Sequence, residues 1–292
     1  MVESNTKAHF APLRLPEPTV VMSVDVEDYF MSPETILFSE WERFPSAIHT
    51  GMERCLNLFD EFGARATFFF VGWLAERYPE IVHRAYEQGH EIGTHTYNHD
   101  YVFNLTEDQF NQSLKSSLDI LRAICPQAEI IGHRAPAFSL QSDRKWQFDL
   151  LKSYGIRYDS SINPHATYLY GDARAVRYPH RLHDLIEIPP ATIQVGSKKL
   201  PVGGGGTLRI LPDCYLRWAR RRYQSEGFPP VIYMHPWEFV PEHPPITLPW
   251  KQRLIHYWGL HSVEWKLRRL LGENRSITMK EYYELLLRQN PV

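Results

Sequence analysis

Val20-Val21-Met22-Ser23-Val24-Asp25-Val26-Glu27-Asp28 runs from an almost unbroken apolar stretch into three acids within four residues. A strand with no polar alternate face is buried on both sides, as in a parallel sheet covered by helices. Acids at the end of such a strand are costly unless something pairs with them or needs them. Four other apolar runs end the same way. Glu91-Ile92-Gly93-Thr94 leads into His95 and His99, Ile130-Ile131-Gly132 into His133 and Arg134, Ile156-Arg157-Tyr158 into Asp159, and Val231-Ile232-Tyr233-Met234 into His235. If the runs are parallel strands, their carboxyl ends meet at one face, where α/β folds build active sites.

The intervening segments support that arrangement. Met52 to Phe62 carries apolar residues at helical spacing and stops at Gly63, and a second helix is expected from about Pro79 to Gln88, ahead of Gly89. Thr106 with Gln109 makes a capping box for a helix with Phe110, Leu114, Leu118 and Leu121 on one stripe. Asp143 to Tyr154 reads as another helix, Ala66 to Val71 and Leu185 to Ile188 as further strands, and Thr278 with Glu281 as the cap of the last helix. Thr192 to Val195 and Lys199 to Val202, joined around Gly196-Ser197, read as a β-hairpin. The run Gly203 to Gly206 follows it and lacks the Lys-Ser/Thr of a phosphate loop, so a tight structural loop is expected. Seven strands alternating with helices predict an α/β fold, a distorted (β/α)7-type barrel with an inserted β-hairpin and C-terminal helices. No repeat or linker divides the chain, which reads as one domain over residues 1–292.

Composition narrows the function classes. A net charge of −2 gives no footprint for nucleic acid, and the cluster Arg217, Arg220, Arg221, Arg222 reads as a solvated helix face. Three cysteines, Cys55, Cys125 and Cys214, share no metal-ligand spacing and are expected to be buried or inert. No run approaches a membrane span, and Met1 to Pro18 lacks a basic segment followed by an apolar one, so a cytoplasmic protein is expected. Aromatic residues make up 13% of the chain, many in Pro-rich stretches such as Trp237 to Trp250, where they serve either to staple loops to the core or to receive sugar rings.

The strand ends carry the chemistry. His95-Thr-Tyr-Asn-His99 sets two imidazoles four apart, which on a helical turn puts both on one face at chelating distance. A catalytic site of two His and one carboxylate needs an acid as well, and Asp25, Glu27 and Asp28 are the candidates. Arg134 can hold one carboxylate ionised while a metal takes a second. Asp159 and His235 make a complementary pair, because a carboxylate stabilises the protonated imidazole that serves as general acid for an amine leaving group.

With these motifs in this order the chain resembles the polysaccharide deacetylases with a NodB-type domain, carbohydrate esterase family four. Asp25-Val-Glu-Asp28-Tyr-Phe and His235-Pro-Trp-Glu-Phe are similar to the branch associated with exopolysaccharide synthesis and the exosortase system. The resemblance covers residues 18–165 as the core, with residues 166–292 as a family-specific part completing the barrel. It implies Asp25 as catalytic base and Asp28 as metal ligand with His95 and His99, Glu27 being the alternative that a gapless Asp-x-Asp match favours. It further implies that Arg134 pairs with Asp25 and that Asp159 tunes His235, the general acid. The cofactor implied is a divalent ion, Zn2+ first, with Co2+, Ni2+ or Mn2+ admissible. The implied reaction removes N-acetyl groups from N-acetylhexosamine units of a bacterial polysaccharide or its precursor, with a backbone N–H near Ala137 helping to hold the oxyanion. The partner is thus a glycan substrate. The pattern also departs from the family, with Ala137 before Phe138, Asn163 four residues after Asp159, and Tyr233 two before His235. These departures leave room for a small cyclic amide or ureide substrate, or for a non-catalytic glycan-binding protein.

Overall fold

The computed structural model describes residues 10–31, 35–165 and 171–290. The strands are β1 (Thr19–Val26), β2 (Thr67–Phe70), β3 (Glu91–Thr94), β4 (Gly132–His133), β5 (Tyr158–Asp159), β6 (His180–Leu182), β7 (Leu185–Glu187), β8 (Thr192–Val195), β9 (Lys198–Pro201), β10 (Val231–Met234) and β11 (Arg275–Ile277). The α-helices are α1 (Ile48–Glu61), α2 (Gly72–Arg77), α3 (Pro79–Glu87), α4 (Glu107–Ile124), α5 (Lys145–Ser153), α6 (Gly205–Ile210), α7 (Asp213–Ser225), α8 (Trp250–Tyr257), α9 (Val263–Glu273) and α10 (Met279–Gln289).

Nine strands form one sheet in the order β10-β1-β2-β3-β4-β5-β7-β6, with β11 beside the start of β1. Every pairing in it is parallel except β6 with β7. All eight residues of β1 are buried, as its apolar sequence demands of a central strand covered on both faces. The expected barrel is a half-barrel: the sheet curls, but β10 and β6 are edges and no strand pair closes them among the described residues. The hairpin β8–β9 stands apart as its own small sheet. Cys55 and Cys125 are buried, whereas Cys214 is exposed. No helix among the described residues is long and apolar enough to cross a membrane.

Register brings the strand ends together. Val24 of β1 lies level with Met234 on one side and Phe68 on the other; Phe70 is level with Thr94, Thr94 with His133, and His133 with Asp159. The next residues along β1, β3 and β10 are the acids, His95 and His235.

The opposite end is stapled by α10. Its cap Thr278 accepts from the Glu281 N–H, and Glu91 at the start of β3 accepts from the Lys280 N–H at 2.8 Å, from Thr67 Oγ1 at 2.5 Å and from Tyr158 OH at 2.7 Å. Burial pushes Glu91 up to about 7, against the pull of these donors and of the Lys280 ammonium. A carboxyl raised above its ordinary 4.5 stabilises the fold fully below that value and loses the contribution as pH climbs through 7. Glu91→Gln should therefore flatten the decline in urea midpoint between about pH 5 and pH 7.5, a decline worth on the order of 3 kcal/mol in the native chain. Parallel pH profiles for the two proteins would contradict this.

Candidate active site

Asp25 and Glu27 are two apart, so they leave β1 on the same face, and a turn in which the Glu27 N–H donates to the Asp25 carbonyl at 2.9 Å keeps Glu27 over the mouth of the half-barrel. Asp28 falls on the other parity. Its carboxylate accepts from Ser46 Oγ at 2.6 Å, from the Tyr29 N–H at 2.9 Å and from the Ala47 N–H at 3.1 Å, and so fixes the start of α1. Asp28, the expected ligand, thus faces α1, and its alternative Glu27 is the acid that faces both histidines.

His95 and His99 do come together, with ring centroids 5.2 Å apart, but not on a helical turn. They sit on a loop in which Thr96 and His99 take left-handed backbone conformations, φ 63° and 57°. Glu27 Oε1 lies 3.2 Å from His95 Nε2 and 2.9 Å from His99 Nε2. Burial lowers the His95 pKa despite the facing carboxylates, which favours the neutral ring, and its Nδ1 carries the proton it donates to the Arg134 carbonyl at 2.7 Å. Nε2 then turns a lone pair toward a carboxylate oxygen. Two acceptors facing each other in a buried site are repulsive unless they share a cation, and a backbone carbonyl on the far nitrogen is how metal-binding imidazoles are oriented. Burial opposes ionised Glu27, but the charges of His99 and His235 outweigh it and hold its carboxyl well below the ordinary range. Glu27, His95 and His99 form a candidate metal site whose ligand atoms all lie within 4.8 Å of one another.

Asp25 and His235 flank it. Arg134 is wholly buried and donates from Nη1 to Asp25 Oδ1 at 2.7 Å and to Ser23 Oγ at 2.8 Å, and from Nη2 to Ser160 Oγ at 2.9 Å. Its guanidinium lies 4.6 Å from the Phe69 ring centre. His235 Nε2 is 3.9 Å from Glu27 Oε1. Burial lowers the His235 pKa, but Glu27, Glu238 and Asp25 together raise it to about 9.

Asp159 does not pair with His235. Its Oδ1 meets His133 Nδ1 at 2.6 Å and Ser161 Oγ at 2.7 Å, and its Oδ2 accepts the Ser161 N–H at 3.0 Å. The carboxylate beside His235 is Glu238, unremarked in the sequence apart from its place three residues after the histidine, a spacing that one helical turn brings together. Ala137 and Phe138 both have left-handed backbones, and Phe138 packs edge-on against Tyr233. From His99 a groove of about 460 Å³ runs between Phe38, Trp41, Tyr101 and Phe103. A cleft of about 540 Å³ at the other end of β1, around Arg14 and Thr19, holds none of these groups.

Residues 36–158 match the polysaccharide deacetylase family model. Residues 160–284 match the Domain of unknown function (DUF3473). The chain is 31% identical over 98 residues to a peptidoglycan-N-acetylglucosamine deacetylase of Bacillus cereus, a match covering 34% of this chain and 43% of that protein. It is 33% identical over 76 residues to a chitooligosaccharide deacetylase of Azorhizobium caulinodans, covering 26% and 36%. The chain thus spans less than half the length of the curated relatives it matches. The fold is that of a Mycobacterium smegmatis protein assigned to the polysaccharide deacetylases, with a TM-score of 0.66 at 18% identity over 98% of this chain and 96% of that one. Asp25 and Glu27 precede the deacetylase match and His235 lies in the second segment. The site is assembled across both.

Proposed function

We propose that the chain is a metal-dependent hydrolase that removes N-acetyl groups from N-acetylhexosamine units of a bacterial polysaccharide or its precursor, and that residues 1–292 act as one catalytic domain. The observation that carries this reading is the convergence of Glu27, His95 and His99 between a carboxylate tied to Arg134 and an imidazole held toward its protonated form. A divalent ion, Zn2+ by its preference for imidazole and carboxylate, would lower the pKa of a water and polarise the acetyl carbonyl there. Asp25, fixed by Arg134, takes the proton as the water oxygen bonds to the carbonyl carbon. His235 delivers a proton to the nitrogen as the C–N bond breaks, leaving acetate and a free amino sugar. The aromatic groove beginning at His99 suits the faces of a sugar chain. Acetate release from N-acetylglucosamine oligomers, with zinc and after chelation, tests the reading: release that chelation leaves unchanged would sink it.

Metal content separates the two neighbouring acids. After dialysis against zinc, Glu27→Gln should retain less than about a tenth of the native zinc, since ligand loss costs at least that much affinity. Asp28→Asn should keep its zinc but lose roughly 1–2 kcal/mol of stability in urea, the cost of weakening buried hydrogen bonds at a helix start. Zinc lost from Asp28→Asn and kept by Glu27→Gln would reverse the assignment.

A further inference from the structure

We propose that Glu238, held by Arg209, is the positioning carboxylate of His235, and that residues 160–284 thereby supply both the proton donor and its support. The inference rests on His235 being the proton donor of the reaction proposed above. Glu238 is fully buried and sits on the same short turn, Pro236–Phe239, as the backbone just after His235. Its Oε2 accepts the His235 backbone N–H at 3.0 Å and lies 3.3 Å from His235 Nδ1. Its Oε1 lies 2.6 Å from Arg209 Nε. With Nδ1 turned to Glu238, Nε2 is the nitrogen left facing the mouth, toward Glu27. Asp159 is not available for this task, because both its oxygens are taken by His133 and Ser161.

Arg209 is itself immobilised. It is buried, its guanidinium lies 5.1 Å from the Trp237 ring centre, and its Nη1 donates to the carbonyls of His256 at 2.7 Å, Ile255 at 3.0 Å and Trp258 at 3.2 Å at the end of α8. Trp237 in turn stacks on His256 with ring centres 4.6 Å apart and planes 4° from parallel. The glycine run has its reason here. Gly204 has φ 141°, and a Cβ on it would meet the Tyr233 ring at 2.2 Å; one on Gly205, at φ 45°, would come within 3.1 Å of His235 Cε1. Only bare backbone lets α6 start this close behind Tyr233 and His235, and α6 is what carries Arg209 to Glu238. A carboxylate paired behind an imidazole fixes the orientation of the ring without itself moving the proton, which is a positioning role.

The test reads the ring nitrogens directly in the zinc-loaded, 15N-histidine-labelled chain, with His235 assigned by its disappearance in H235Q. Native His235 should carry a proton on Nδ1, facing Glu238, as well as on Nε2, facing the mouth; E238Q should shift those signals, whereas D159N should leave them in place and move His133. His235 signals that respond to D159N and ignore E238Q would overturn the proposal. In the acetate assay E238Q should lower kcat by about 10- to 100-fold with KM within about twofold, and E238D should recover part of the loss. A kcat for E238Q within about threefold of native would count against the proposal. Should E238Q fail to fold, judged by its melting curve, E238D and R209K take its place in the spectra, and unchanged His235 signals in both would overturn the proposal. Because the ring-nitrogen measurement needs no turnover, a native chain that releases no acetate would fail the functional reading while the positioning of His235 is still decided.

Discussion

Asp25→Asn is expected to lower kcat for acetate release by about 10³-fold while zinc content stays native. Asp25 makes no hydrogen bond to His95 or His99; its carboxylate is engaged by Arg134 Nη1 at 2.7 Å. Asn keeps the shape and one acceptor but is not a base at neutral pH. A positioned general base contributes about 10²- to 10⁴-fold, and that contribution is what the substitution removes. Substrate binding should change little, so the loss belongs in kcat. A variant turning over within about threefold of native would assign the base to another group.

Arg134 should dominate stability as Asp25 dominates rate. It is completely buried and reaches Asp25, Ser23 and Ser160 across three strand ends. Arg134→Met leaves the Asp25 carboxylate in a dry site without its counter-charge, a change that costs about 3–5 kcal/mol when a buried pair loses one partner. The double variant Arg134→Met/Asp25→Leu removes the stranded charge and should be more stable in urea than Arg134→Met alone. If the two substitutions instead add, leaving the double variant weaker than either single one, Arg134 and Asp25 are not coupled and the pair does not anchor the site.

Much of this frame is legible in the sequence, for identifiable reasons. β1, β2, β3 and β10 announce themselves as apolar runs because both their faces are buried, and the caps of α4 and α10 at Thr106 and Thr278 form as side-chain chemistry predicts. The hairpin β8–β9 matches its expected span to within one residue. β6 and β11, three residues each, carry too little periodicity to be seen, and no local pattern says whether the first and last strands of a curled sheet meet. Strand parity is the signal that separates Glu27 from Asp28: residues two apart share a face, so Asp25 and Glu27 lie together and Asp28 turns to α1. The four-residue spacing of His95 and His99 is compatible with a helical turn, and nothing local marks the β-branched Thr96 as the left-handed residue that makes the loop instead. The partner of His235 depends on which carboxylate the packing leaves free, and only the fold reveals that Asp159 is occupied by His133.

A cation held by Glu27, His95 and His99 is proposed to drive deacetylation. The most direct test follows acetate release from N-acetylglucosamine oligomers as zinc is added back to the chelated chain. Activity should start near zero, rise in step with bound zinc to a plateau at a single ion per chain, and fail to rise for Glu27→Gln. Release that is independent of zinc, or that rises equally in Glu27→Gln, would contradict it.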